Sequence, residues 1–177
     1  KRAGDFISAQ DLLSEVDKDP IRFMMLNQSN DVELDFDFDK VKEKTKDNPV
    51  FYVQYAYARI NSLLRMSNAS FVKKIEFDEI NFTLNEMDEK IIRKVFEWPK
   101  IIESVSRKFD LHKIPFYLYE LSTLFHAYWS RGNEDKRYKF IENDQIKRKE
   151  TLAIINLVAI VIKNGMSILD VSLPKKM

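Results

Sequence analysis

The stretch LDFDFDKVKEKTKDNPVFYVQYAYARI, residues 34–60, joins an acidic alternating run to a capped aromatic helix. Asp47-Asn48-Pro49 is a strong helix start, because Asp and Asn side chains cap free backbone N–H groups and proline suits the first helical position. The spacing predicts a helix from there to about Met66. Val50, Val53, Tyr57, Ile60 and Leu64 fall on one apolar stripe, and Tyr52, Tyr55 and Arg59 on a second, more polar one. Two stripes imply two partners for one helix. Upstream, Leu34-Asp-Phe-Asp-Phe-Asp39 is the sole alternating segment, fitting a short half-buried strand or an extended rung. With three glycines in 177 residues, at 4, 132 and 165, few hairpin turns are expected, and the class is mainly α.

Working outward, Ser8 can cap a helix running to about Val16, with Asp11 as a carboxylate variant of the capping box. Asp19-Pro20 starts the next, burying Ile21, Phe23 or Met24, and Leu26. Downstream, Asn85 or Asp88 begins a helix ending near Trp98-Pro99, Pro99 opens another to about Phe109, and Pro115 opens a longer one to about Arg131. Ile114, Leu118, Leu121, Phe125 and Tyr128 lie at core spacing, and Gly132-Asn133 is expected to end that helix. The last helix, roughly 145–164, carries LAIINLVAIVI at 152–162 and reads as central and buried, Leu157 included. Its apolar run is well short of the about 20 residues that span a bilayer. Lys163 in the last turn and Gly165 as a left-handed cap would close it.

Composition excludes several functions. The chain is 45% hydrophobic and 32% charged, the balance of a folded domain. Lacking cysteine, it forms no disulfide or thiolate metal site, which is compatible with a cytosolic setting. Asp35, Asp37 and Asp39 resemble the start of a calcium loop, but Lys40 stands at its sixth position and Lys46 at its twelfth, where glycine and glutamate are required. The glycines are too far apart for a phosphate-binding loop, and His112 and His126 are not at a common chelating spacing. No independent catalytic site and no metal site are expected.

Net charge is +1, unevenly spread: residues 1–67 hold ten basic and twelve acidic side chains, and 68–177 hold nineteen and sixteen. Arg131, Lys136, Arg137, Lys139, Lys147, Arg148 and Lys149 face only Glu134, Asp135, Glu142 and Asp144 in their segment, either a phosphate-binding strip or a solvated charged loop. RNA recognition combines aromatic faces for splayed bases with Arg or Lys for phosphates. FHAYWSR, residues 125–131, supplies His126, Trp129 and Arg131, with Phe125 and Tyr128 as core. Trp129 either stacks at the surface or is buried with a partner for its indole N–H.

Taken with KRAGDFISAQDLLSEVDKDPIRFMML at the start, FYLYELSTLFHAYWSR at 116–131 and VIKNGMSILDVSLPKKM at 161–177, the 34–60 stretch resembles the arginyl-tRNA synthetases at the junction between catalytic domain and helical anticodon-binding domain. The resemblance spans nearly the whole chain. It implies a mainly α fold, a helical-bundle anticodon-binding domain over 47–177, preceded over 1–46 by the end of the catalytic module. Lys1 and Arg2 then match the end of the ATP-handling KMSKS-type loop, and no HIGH-type sequence occurs, so the chain is expected to be a C-terminal fragment without catalytic residues of its own.

The parent implied is an ATP-dependent ligase, using ATP with Mg and attaching arginine to tRNA(Arg), cytoplasmic and monomeric, with no membrane partner and no cofactor in this fragment. The resemblance places Gln54, Tyr55 and Arg59, in QYAxAR, near the RNA-facing side; packing against the 34–39 rung is the alternative. With them the expected tRNA-binding set is His126, Trp129, Arg131, Lys136, Arg137, Arg148 and Met177, the last in an LPKKM ending where relatives often have Pro-Glu-Arg-Met. Thr151 stands where relatives commonly carry arginine; if that arginine touches RNA, Arg148 or Lys149 is expected to compensate here. The rival reading is a helical protein-interaction module that uses the stripe of Tyr52, Tyr55 and Arg59 without RNA.

Overall fold

A computed structural model of the chain describes residues 9–29, 31–33, 41–43, 45, 47–67, 69 and 83–177. Lys1, Arg2, the Ser8 cap and the acidic run 34–39 lie outside the described residues. The elements in order are α1 (Ala9–Glu15), α2 (Lys18–Leu26), α3 (Pro49–Met66), α4 (Glu86–Phe96), α5 (Trp98–Lys108), α6 (Lys113–Glu134), a 3-10 turn (Lys136–Tyr138), β1 (Ile141–Glu142), β2 (Gln145–Ile146) and α7 (Lys149–Ile168).

Local chemistry sets the helix starts. Asn48 caps α3, its side chain accepting from Phe51 N–H, while its amide nitrogen donates to the carbonyls of Val41 and Glu43, each at 2.8 Å. Burial of Asn48 is tolerated because both ends of the amide are bonded. Asn85 and Asp88 form a reciprocal capping box on α4: Asn85 Oδ1 accepts from the N–H groups of Met87 and Asp88, and Asp88 Oδ2 accepts from Asn85 N–H at 3.0 Å. Pro99 sits in the first turn of α5, which ends on Phe109 in the left-handed conformation (φ 58°).

The core is a helical bundle. α3 packs on α6 and α7, α4 on both of the same helices, α5 on α6, and α2 on α3. The apolar stripe of α3 is buried throughout, from Val50 and Val53 through Tyr57 and Ile60 to Leu64, and Ile114, Leu118, Leu121, Phe125 and Tyr128 of α6 meet it. Phe23 of α2 joins this core, whereas Val16, Ile21 and Val41 form a smaller cluster of their own.

Both glycine assignments are corrected. α6 runs through Gly132 and Asn133 to Glu134. Gly132 is buried there because the chain returns across it: a Cβ at that position would lie 3.0 Å from the Tyr138 carbonyl oxygen and 3.2 Å from Lys139 Cα. Gly165 lies inside α7, where a Cβ would meet Leu118 Cδ2 at 2.7 Å, so its role is close packing of α7 on α6. The left-handed cap is Asp170 (φ 54°), with Val171 N–H donating to Met166 C=O and Asp170 N–H to Ser167 C=O.

The start of α7 also moves. Residues 141–146 form an antiparallel hairpin, Ile141 opposite Ile146 and Glu142 opposite Gln145, and the helix begins at Lys149. Asn143 (φ 50°) and Asp144 (φ 58°) supply the two positive-φ positions that a two-residue hairpin turn requires, without glycine. By length and composition α7 is apolar enough to cross a membrane, but it is the bundle's central helix, with Ile154, Ile155, Val158, Ala159, Ile162 and Met166 buried. Leu157 is not on that side; it is only partly covered.

Candidate nucleic-acid interface

The polar stripe of α3 meets one face of α6. The Arg59 guanidinium lies between two aromatic rings, 4.4 Å from the centroid of Tyr55 and 4.8 Å from that of Trp129. Its amino groups also reach Tyr55 Oη at 2.6 Å and His126 Nδ1 at 3.0 Å. Arginine only donates, so His126 Nδ1 must accept, and the ring proton sits on Nε2, 3.3 Å from the Tyr52 carbonyl. Burial, with Arg59 adding to it, pushes His126 down to about 4, so the ring is neutral near pH 7. The Tyr52 ring lies tilted against two others, its centroid 4.4 Å from that of His126 and 5.3 Å from that of Tyr119, and burial raises its hydroxyl above the ordinary value.

Tyr55, Arg59 and Trp129 are each half-buried. One face of Trp129 is engaged by Arg59, and the ring also borders a small cleft of about 100 Å³ with Leu63, Asn133, Lys139 and Phe140. Tyr119 and Asn133 are not among the site residues expected from the sequence. Their spacing with His126 and Trp129, seven, three and four residues along α6, is the helical signal that marks the face.

The expected basic residues divide into engaged and free. Arg148 Nη2 is 2.7 Å from Asp88 Oδ2 and 3.0 Å from Tyr128 Oη, and Nη1 reaches the Thr83 carbonyl. Tyr128 Oη donates to Asp88 Oδ1 at 2.6 Å and accepts from Asn85, closing a network around a fully buried carboxylate. Burial opposes the Arg148 charge, but Asp88 outweighs it and raises the guanidinium above its ordinary value. Arg131 pairs with Glu86 at 2.8 Å and covers the Tyr138 ring. Arg137 is exposed and forks onto Asp135. Lys136, Lys139 and Lys149 are exposed without an acidic partner among the described residues. Thr151 is buried with its hydroxyl unbonded.

Gln54 does not point into the aromatic cluster; its Nε2 donates to the Ser172 carbonyl at 3.0 Å. Met177 is half-exposed and lines a cleft of about 490 Å³ with Phe51, Gln54 and Tyr55 from α3 and Glu15, Val16 and Pro20 from α1, α2 and their connection. Among the described residues, no group of three or more His, Asp or Glu side chains is placed to hold a metal ion.

An aromatic and cationic face on α3 and α6 beside an exposed basic segment suits single-stranded bases with their phosphates. The model of the DALR anticodon binding domain family matches residues 53–177, which include most of α3, with Tyr55 and Arg59, and everything after it. The chain belongs to this family. Over all 177 residues it is 48% identical to an arginine–tRNA ligase of Pelagibacter ubique, covering 31% of that protein. It is 40% identical to an arginine–tRNA ligase of Chelativorans sp., again covering 31% of it.

Among solved structures, it resembles a Campylobacter jejuni protein assigned as an arginyl-tRNA synthetase, with TM-score 0.81 and 26% identity, covering 100% of this chain and 37% of that one. The Thermus thermophilus arginyl-tRNA synthetase superposes with TM-score 0.68 at 19% identity, over 98% of this chain and 28% of that one, a likeness of fold. The chain thus spans about a third of the length of these relatives. The matched region takes in α3 from Val53 onward and all of α4–α7, with α1 and α2 lying before it.

Proposed function

We propose that this chain is the tRNA-binding part of an arginine–tRNA ligase and binds the anticodon region of tRNA(Arg) through the face shared by α3 and α6. The match of residues 53–177 to an anticodon-binding family carries the proposal. Trp129 and Tyr55 would stack on loop bases, Arg59 would hold both rings and offer its remaining charge, and Lys136, Arg137 and Arg131 would meet phosphates. His126 would keep Arg59 aimed, Gln54 and Met177 would shape the neighbouring cleft, and Arg148 would tie the start of α7 to Asp88 and Tyr128. In a complete ligase, residues 1–46 would belong to the catalytic module and 47–177 to the anticodon domain. Lys1 and Arg2 would then help stabilise charge developing on the triphosphate of ATP, held with Mg, while arginine is activated. A cytoplasmic monomer is the matching expectation.

The test is binding of the chain to tRNA(Arg) and to an anticodon-swapped tRNA(Arg) across a salt series. Phosphate contacts release counterions, so affinity should fall steeply with salt, and it should drop on the swap. Trp129→Ala should weaken binding by about 1–3 kcal/mol. Binding indifferent to salt and anticodon would favour the rival protein-interaction module.

A further inference from the structure

Ser172 is gripped from two sides. Its backbone N–H donates to Asp19 Oδ2 at 3.0 Å and its hydroxyl bonds the same carboxylate, while its carbonyl accepts from Gln54 Nε2 at 3.0 Å. Asp19 belongs to α2 and Gln54 to α3, so one residue of the segment after α7 is bonded to both helices. Neighbouring contacts repeat the arrangement. Lys18 Nζ lies 3.3 Å from Asp170 Oδ2, Arg22 donates to the Leu169 carbonyl, and Arg65 of α3 donates to the Lys175 carbonyl at 3.0 Å. Residues 171–177 contain no helix or strand, so their backbone groups have no ladder to satisfy them. Side chains of α2 and α3 supply the missing partners, and buried Leu169 and Val171 supply the apolar anchor. Beyond these anchors Met177 joins Phe51 and Tyr55 in the cleft, whereas Asp19 stays outside it.

Resting on the proposed tRNA binding, we propose that Asp19 is a positioning residue for RNA: through Ser172 it holds segment 171–177 against α3 and so presets Met177 beside Tyr55. A preset surface loses less conformational freedom on binding, which raises affinity without any contact between Asp19 and the RNA. The same linkage ties α2 to the face that α3 presents.

The experiment compares the 177-residue chain with Asp19→Ala, Asp19→Asn, Met177→Ala and the double variant Asp19→Ala/Met177→Ala. Asp19→Ala should speed amide exchange of residues 172–177 in the free protein and weaken tRNA(Arg) binding by about three- to tenfold, the effect of one net hydrogen bond, with the salt slope unchanged. Asparagine keeps an acceptor for Ser172 N–H and should restore most of both. In the Met177→Ala background the Asp19 effect on affinity should vanish, because Asp19 acts through Met177. Unchanged exchange, an altered salt slope, or an affinity loss that persists without Met177 would each overturn the inference. Failure of the unsubstituted chain to bind tRNA would instead remove the reading on which it rests, and is seen before any variant is made.

Discussion

At the residue scale, His126 shows how burial and hydrogen bonding fix a chemical state. Its neutral ring accepts from Arg59 and donates to the Tyr52 carbonyl, and a proton on Nδ1 would remove the first bond and set two cations together. Its folded value, about 4, lies below the ordinary 6.5, so the unfolded chain binds more protons between those limits. The stability it contributes is therefore full above about pH 6.5 and is lost as pH falls toward 4. Urea melts at pH 7 and pH 4.5 should differ by about 2–3 kcal/mol more for the native chain than for His126→Gln. Equal differences would assign the pH dependence to other groups. The sequence placed His126, Trp129, Tyr55 and Arg59 as candidates through composition and resemblance; it did not show that they form one cluster, because residues 67 or more apart in the chain meet only through the packing of α3 on α6.

At the element scale, α7 was legible as central because its apolar run is almost continuous, and for the same reason its orientation was not. A helix that is apolar nearly all round gives no stripe from which to choose the covered side. Contacts from α3, α4 and α6 bury Ile155 and leave Leu157 partly covered. Ile155→Ala should cost about 2–5 kcal/mol, and Leu157→Ala about 1 kcal/mol, in chemical denaturation. Similar losses at both positions would contradict the observed rotation of the helix. The two glycines misled for a related reason: a glycine near a helix end suggests a cap, yet Gly132 and Gly165 are set by the Tyr138–Lys139 backbone and the Leu118 side chain, partners remote from the local helix-capping pattern. The 141–146 hairpin is not legible in the sequence because its turn uses Asn143-Asp144, whereas the scarcity of glycine argues against hairpins.

At the scale of the whole molecule, Asp88 links three parts of the bundle. It caps α4, accepts from Tyr128 of α6 and pairs with Arg148 at the entrance to α7. Removing a buried carboxylate leaves Arg148 without its counter-charge and Tyr128 without its acceptor, so Asp88→Ala should destabilise the chain by about 3–5 kcal/mol, with Asp88→Asn losing less. A loss below about 1 kcal/mol in equilibrium unfolding would show that the network does not tie the helices.

Sequence alone determined the helical class, the start of α3 at Asn48, the start of α4 to within Asn85 or Asp88, and the apolar stripes of α3 and α6, because capping and periodicity are written in neighbouring residues. Tertiary structure decided which basic side chains are spent on carboxylates, which glycines serve close packing, and that Gln54 faces Ser172 instead of the aromatic cluster. Those outcomes depend on atoms brought together across long stretches of chain, where the free energy of a contact is set by burial and geometry that local spacing does not encode.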